Sequence, residues 1–330
     1  MRSISESQAS SAAEIHQKID EMRARLEKQL KGKSEIVELA LACFFARGHL
    51  LLEGPPGTGK TSLAKAMATE LGGSFRRIQL TSDMLPSDVV GFLRLKPGTH
   101  EFEFRRGPVF SHVLLADELN RTSAKTQSAL LEAMAEATVT IDGMTYDLPH
   151  PFFVIATQNP LEFQGVFPLA ESQLDRFMLE LHLSSPERKD ELNIYQNSSD
   201  FKSVAPSQSP DLQAQHEQRA KLSAALDLQA TAEQIHIEAS VLEFATDIIR
   251  ATRASPEVCF GVSVRGGLQY IAAAKALAMV RGRTYVLPQD LTDLAVPTLA
   301  HRLCFSGGEP EQEQRWTVIH RILEKIKAPR

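Results

Sequence analysis

The stretch Gly54-Pro55-Pro56-Gly57-Thr58-Gly59-Lys60-Thr61 decides how the rest of this chain is read. It has the form G-x-x-x-x-G-K-[ST]. Before it stands Leu50-Leu51-Leu52-Glu53, a short apolar run of strand type; after it Thr61 to Leu71 reads as a helix ended by Gly72-Gly73. Strand, glycine-rich turn and helix in that order make an anion cradle, because the turn lets backbone N–H groups curl round a phosphate and the helix N-terminus adds partial positive charge. Lys60 is long enough to reach β- and γ-phosphates, and the Thr61 hydroxyl can ligate Mg2+. The loop residues Gly54 to Thr61, with Ser62 beyond them, are the expected nucleotide contacts. The competing reading is a glycine-rich turn without chemistry.

Working outward, short apolar strands recur between helices. Phe75 to Leu80, Val113 to Asp117, Phe153 to Ala156 and Met178 to Leu183 follow the first strand, which predicts a five-stranded parallel sheet covered on both faces, an α/β core. Two stretches break the rhythm. Residues 85–106 are too long for a plain connection and contain the alternating Glu101-Phe102-Glu103-Phe104-Arg105. Thr138 to Ile141 and Met144 to Leu148 flank Asp142-Gly143, a two-residue hairpin signal. Upstream, Ile15, Ile19, Met22 and Leu26 mark an amphipathic helix over Glu14 to Leu30, with residues 1–13 expected to fray. Gly32 breaks it, and Glu35 to Ala46 resumes as a helix. Beyond Pro186 a Ser/Gln/Pro-rich stretch at 197–215 reads as a linker, and the remainder is helical, with Ser263 opening one helix and Pro288-Gln289-Asp290 another. The expected organisation is therefore an N-terminal segment over 1–31, the core over 32–185 and a smaller, mainly α-helical domain over 186–330.

His112 to Glu118 supplies the second half of the phosphate site. Its apolar residues bury a strand and deliver Asp117 at the C-terminal end, where open α/β sheets bind ligands. Asp117 is the expected Mg2+ ligand beside Thr61, and Glu118 the base for an attacking water. The bland alternative is that the pair caps the next helix. Asn159, in Ala156-Thr157-Gln158-Asn159-Pro160, ends the fourth strand, where its amide could orient that water; a turn Asn before Pro is the equal alternative.

Composition bounds the answer. Over 330 residues the chain is 43% apolar and 23% charged with net charge −5, which excludes disorder as the default and argues against a general phosphate-coating surface. The longest apolar run, Leu39 to Ala46, is far short of the roughly 20 residues of a membrane helix. The opening residues lack the apolar centre of a secretory signal, and Cys43, Cys259 and Cys304 are scattered, so a reducing, cytoplasmic location is expected.

Taken together, Asp117-Glu118-Leu119-Asn120-Arg121, Lys125 to Met134, Ala156 to Pro160 and Gln173-Leu174-Asp175-Arg176-Phe177 resemble the MoxR family of AAA+ ATPases over about residues 30 to 305. The resemblance implies an AAA+ P-loop core with a helical lid, ATP/ADP and Mg2+ as ligands, and further roles. Asn159 falls at sensor 1, Arg176 at the arginine finger that enters a neighbouring subunit's site, and Arg265 at sensor 2 in the lid. The 85–106 excursion corresponds to the helix-2 insert, and the 138–149 hairpin to the pre-sensor-1 hairpin, the branch shared with magnesium chelatase and MCM helicases. Read from residues alone, Arg176 could instead pair with Asp175 or Glu171, and Arg265 could be a solvated surface group. Departures are Gly59 where many members have Ala, Val264 rather than Pro before Arg265, and Gly266-Gly267 behind it.

The resemblance further implies a homo-oligomeric ring, expected to be hexameric, that remodels protein clients with a von Willebrand factor A (VWA) domain partner. A chelatase-type motor subunit is the first alternative and an MCM-like nucleic-acid motor the second. The hairpin TVTIDGMTYDL contains no Lys or Arg, which counts against the latter.

Overall fold

The computed structural model describes residues 2–55, 57–158, 166–184, 188–189, 191–192, 212–305 and 312–329. In chain order α1 (Arg2–Gln29) and α2 (Ser34–Phe45) precede β1 (Leu50–Glu53) and α3 (Lys60–Leu71). Then come β2 (Phe75–Gln79), α4 (Pro86–Val90), β3 (Gly91–Leu95), β4 (Phe102–Arg106), β5 (Val113–Asp117) and α5 (Ala124–Glu136). The hairpin β6 (Thr138–Ile141) and β7 (Met144–Asp147) leads to β8 (Phe153–Gln158), α6 (Glu171–Leu174) and β9 (Leu179–His182). The C-terminal part holds α7 (Leu212–Glu233), α8 (Ala239–Ala254), β10 (Val258–Phe260), α9 (Val264–Val280), α10 (Pro288–Leu299), β11 (Cys304–Phe305) and α11 (Gln312–Lys325).

The five expected core strands form one sheet in the order β2-β5-β8-β1-β9, all parallel. Alternation along each strand divides its side chains between two cores. Leu50, Leu52, Val113, Leu115, Phe153 and Ile155 pack towards α2, α3 and the C-terminal helices. Leu51, Leu114, Ala116, Val154 and Ala156 pack with Leu130, Leu131 and Met134 of α5. A sheet buried on both faces explains why its strands read as continuous apolar runs.

The excursion after β2 folds as α4 and the antiparallel hairpin β3–β4. Asp142 and Gly143 both take positive φ, 50° and 81°, the signature of the two-residue turn expected between β6 and β7. The two hairpins meet where Phe104 stacks on Tyr146 at 4.2 Å between centroids.

Two sequence expectations can be set beside the described residues. The first helix begins at Arg2, so the stretch expected to fray is helical; its Ser, Ala, Glu and Gln residues carry no helix breaker. Residues 197–211 of the expected linker lie outside the described residues, and its last four, 212–215, already belong to α7.

The C-terminal helices share the core of the sheet's α2–α3 face: Tyr270, Ala273, Leu277 and Leu291 join the same apolar cluster as Phe44 and Leu179. Polar ties fix the junction. Gln229 Nε2 donates to Phe44 O at 2.8 Å, and Arg281 bridges Glu38 of α2, at 3.2 Å, to Asp293 of α10, at 2.7 Å. Those carboxylates hold the Arg281 guanidinium above its usual pKa, outweighing its burial.

Two buried histidines are held neutral. His49 accepts at Nδ1 from Val154 N, and its Nε2 lies against Met134 O, both at 3.1 Å, so one tautomer satisfies both contacts. His301 Nε2 similarly meets Phe177 O at 3.1 Å. Burial pulls each imidazole down to about 4, with Arg302 adding to the effect at His301. Because the unfolded chain takes these protons more readily, their stabilisation is complete above about pH 6.5 and is lost as pH falls towards 4. Urea midpoints should fall between pH 7.5 and 5, each histidine contributing ~2 kcal/mol to the loss. His49→Gln should show a shallower fall; an identical pH slope would refute the assignment.

Candidate active site

The loop after β1 is built on backbone that only glycine tolerates at its first position. Gly54 has φ 149°, and a Cβ there would lie 2.3 Å from Leu183 O of the neighbouring strand end. Gly59 adopts φ 97° and hands the chain directly to α3, whose first residue is Lys60. Thr58 Oγ1 closes the turn on Pro55 O at 3.0 Å. The Lys60 ammonium donates to Gly54 O at 2.6 Å, folded back over the loop. Burial pulls its pKa below the usual lysine value, while the carboxylates of Asp117, Glu118 and Glu53 oppose that fall.

Across the loop, β5 ends in the acidic pair. Its neighbour β8 places Ala156 opposite Ala116, so Thr157 comes level with Asp117. The Thr157 hydroxyl donates to Asp117 Oδ1 at 2.6 Å and accepts from Glu118 N at 2.9 Å. One hydroxyl thus orders both acids. Glu118 has φ 58°, left-handed backbone that a non-glycine residue rarely adopts, and Arg121 donates to its Oε2 at 3.0 Å. On the other side β2 pairs with β5 and brings Arg77 to Asp117 Oδ2, with Nη2 at 2.6 Å and Nε at 3.2 Å.

These groups enclose a cleft of about 320 Å3 lined by Gly57, Gly59, Lys60, Thr61, Ser62, Arg77, Gln79, Asp117 and Glu118. A lysine, a helix N-terminus and hydroxyls face two carboxylates across it, a donor set suited to polyphosphate on one wall and a hard cation on the other. Beside the loop, His182 sits 3.4 Å from Glu53 and 3.7 Å from Glu180, an imidazole between two carboxylates.

Comparison with known proteins now settles the relationship. Residues 49–179 match the ATPase family associated with various cellular activities (AAA), and residues 250–326 match an AAA lid domain. The chain is 39% identical to YeaC of Bacillus subtilis, over 96% of each chain. It is 37% identical to the chaperone MoxR1 of Mycobacterium tuberculosis, over 96% of this chain and 84% of that one. The chain belongs to the MoxR-type AAA+ ATPases. A crystal structure assigned as an ATPase from Cytophaga hutchinsonii superposes with a TM-score of 0.84 at 32% identity, covering 98% of this chain and 99% of that one.

Within this MoxR-type AAA+ chain the cleft gathers Gly57, Gly59, Lys60, Thr61, Ser62, Asp117 and Glu118 from the sequence-derived set. Pro56 and Asn159 lie outside the described residues. Arg176 and Arg265 are not in the cleft. Arg176 precedes Phe177 and Met178, and Met178 N bonds His49 O at 2.8 Å at the start of β1, the end of the sheet opposite the loop. Arg176 Nη1 reaches Leu131 O at 3.4 Å. The local pairings open in the sequence are taken elsewhere: Asp175 Oδ1 accepts from Arg302 Nε at 2.8 Å, and Glu171 accepts from the Cys304 thiol at 3.2 Å.

Arg265 lies in the first turn of α9, exposed, next to Ser263, whose hydroxyl donates to Asp175 Oδ2 at 3.1 Å and caps Gly266 N at 2.9 Å. Gly266 reads in sequence as a weak point of that helix. In the fold it is a close approach, because a Cβ there would lie 2.9 Å from Arg302 Cδ. Asp175 therefore joins the lid to the segment carrying Arg176.

Neither Arg77 nor Thr157 carries a motif signal of its own, although Thr157 lies within Ala156 to Pro160. Replacing Thr157 by Val keeps the shape but leaves Glu118 N–H and Asp117 Oδ1 short of a partner inside the fold. Stability should fall by about 1–3 kcal/mol. ATP turnover should fall further than nucleotide affinity, read as kcat against KM; an unchanged kcat would show that the hydroxyl does not order the acids.

Proposed function

We propose that this AAA+ protein hydrolyses ATP with Mg2+ in sites completed by a neighbouring subunit of a homo-oligomeric, hexameric ring, and uses the cycle to remodel protein clients together with a VWA-domain partner. The observation that carries the reading is the separation of its cationic groups. Lys60 lines the cleft, whereas Arg176 and Arg265 stand together at the opposite end of the strands, linked through Asp175 and Ser263. Neither arginine lines its own cleft, which supports a reading in which both serve that of a second copy. Around Arg265 the side chains of Phe260, Val264 and Leu268 are large, apolar and 65–74% exposed, a surface suited to burial against a neighbour.

The proposed roles follow from position. The Gly54 loop, Lys60 and Ser62 bind the phosphates of ATP or ADP, with Pro55, Pro56 and Thr58 shaping the loop. Thr61 and Asp117 hold Mg2+. The site fits a cation, since Asp117 Oδ2 already carries the Arg77 guanidinium. When bound, Mg2+ neutralises phosphate charge. Glu118 takes the proton of the attacking water, Asn159 orients that water, and Arg176 and Arg265 spread positive charge over the transferring phosphoryl in the adjacent subunit.

Protein clients are favoured over nucleic acid by the two inserts. Arg94 pairs with Glu103 and Lys96 with Glu101, while Phe92, Leu95, Phe102 and Met144 are exposed. A chelatase-type motor would use the same machinery and differs only in its partner. No helix among the described residues is long and apolar enough to cross a membrane, and none of the three cysteines is in a disulfide, which supports a cytoplasmic location.

Glu118→Gln should retain ATP binding and lose at least about a hundredfold in turnover. Wild-type specific activity should rise with protein concentration as sites assemble, and Arg176→Ala should be inactive at every concentration while still binding ATP. Activity per chain that is flat with concentration, with normal turnover by Arg176→Ala, would overturn the shared-site reading.

A further inference from the structure

Both oxygens of the proposed metal-binding carboxylate are engaged. Asp117 Oδ1 accepts from the Thr157 hydroxyl, and Oδ2 accepts the Arg77 guanidinium through Nη2 at 2.6 Å and Nε at 3.2 Å. A divalent cation and a guanidinium held by the same carboxylate would repel each other, so the two compete for Asp117. We infer that Arg77 is a gate on the metal site: it closes Asp117 to divalent cations until a nucleotide brings phosphates to the cleft, then turns from the carboxylate to those phosphates. The inference rests on the reading of the cleft as a Mg·ATP site and assigns a positioning role within it.

The surroundings of Arg77 suit such a movement. It lies on β2, the edge strand of the sheet, and its side chain is 47% exposed, so no packed core holds it. Its partners among the described residues are Asp117 and Gln79, whose Oε1 accepts from Nη2 at 3.1 Å. Gln79 lines the same cleft, as do Lys60 and Thr61, so a guanidinium leaving Asp117 can stay attached to β2 and still face the loop that receives phosphate. Arginine suits both positions because its planar fork matches carboxylate and phosphate alike. The neighbouring Arg76 alternates to the other face of the strand and does not line the cleft.

The experiment uses Mn2+ as the probe ion and the full chain without nucleotide, with free Mn2+ read by electron paramagnetic resonance. Wild type should bind weakly. Arg77→Gln, which removes the charge on an exposed edge position, should bind at least about tenfold tighter; Arg77→Lys, which keeps the charge, should stay within about threefold of wild type. Asp117→Asn on the Arg77→Gln background should abolish the gain. With a fluorescent ATP analogue in EDTA the order should reverse, Arg77→Gln binding about tenfold more weakly, because the phosphates have lost a cation. Equal Mn2+ affinity in wild type, Arg77→Gln and Arg77→Lys would overturn the gate while leaving the ATPase reading intact, provided wild type binds and hydrolyses Mg·ATP. A wild type that binds no ATP would overturn both.

Discussion

The position of β8 between β1 and β5 is the constraint on which the site depends. Because β8 pairs in parallel with both, the Gly54 loop at the end of β1 and Asp117 at the end of β5 face each other across a strand's width. That gap is the cleft. The intervening strand contributes Thr157, whose hydroxyl spans the acidic pair. A one-residue slip of β8 would turn Thr157 to the opposite face and carry Phe153 and Ile155 out of the α2–α3 core into the one packed on α5. The two apolar cores therefore lock the chemistry as well as the fold.

A second set of contacts carries the sheet's lower end into the lid. Asp175 takes Arg302 and Ser263, both from the C-terminal part, while its neighbour Arg176 makes a long contact to Leu131 O among the described residues. Burial lowers the Arg302 pKa and Asp175 opposes that fall, so breaking the pair would leave an uncompensated charge inside the junction. Lid orientation and the placement of Arg176 are thereby one arrangement. This is the physical basis for the proposal that the half-buried Arg176 and the exposed Arg265 belong to a single edge.

Much of this was legible in sequence because the signals are local. Leu50 to Glu53 and Val113 to Asp117 are too apolar and too short for anything but buried strands, Asp142-Gly143 dictates its own turn, and the Gly54 to Thr61 spacing needs a strand and a helix that flank it. What stayed hidden depends on register between distant segments. Phe75 to Leu80 reads as a strand with no sign of its neighbours, and only its pairing with β5, about forty residues on, sets Arg77 against Asp117. Thr157 has the same character. Asp175 finds its partner at Arg302, and no nearby residue announces it. Gly266 looked like helix weakness, because a sequence cannot show which side chain lies against a glycine.

The proposed mechanism is a division of labour, in which each chain would bind nucleotide with its own loop and acids and lend its arginine edge to a neighbour. The most direct test mixes two inactive proteins, Glu118→Gln and Arg176→Ala, and measures steady-state ATP hydrolysis against the ratio of the two. In a mixed ring some Arg176→Ala clefts, with intact acids, face an intact arginine from a Glu118→Gln neighbour. The account predicts turnover in the mixture well above that of either protein alone, with a maximum at an intermediate ratio. Turnover that stays at the weighted average of the two inactive proteins, in rings shown to exchange subunits, would contradict it.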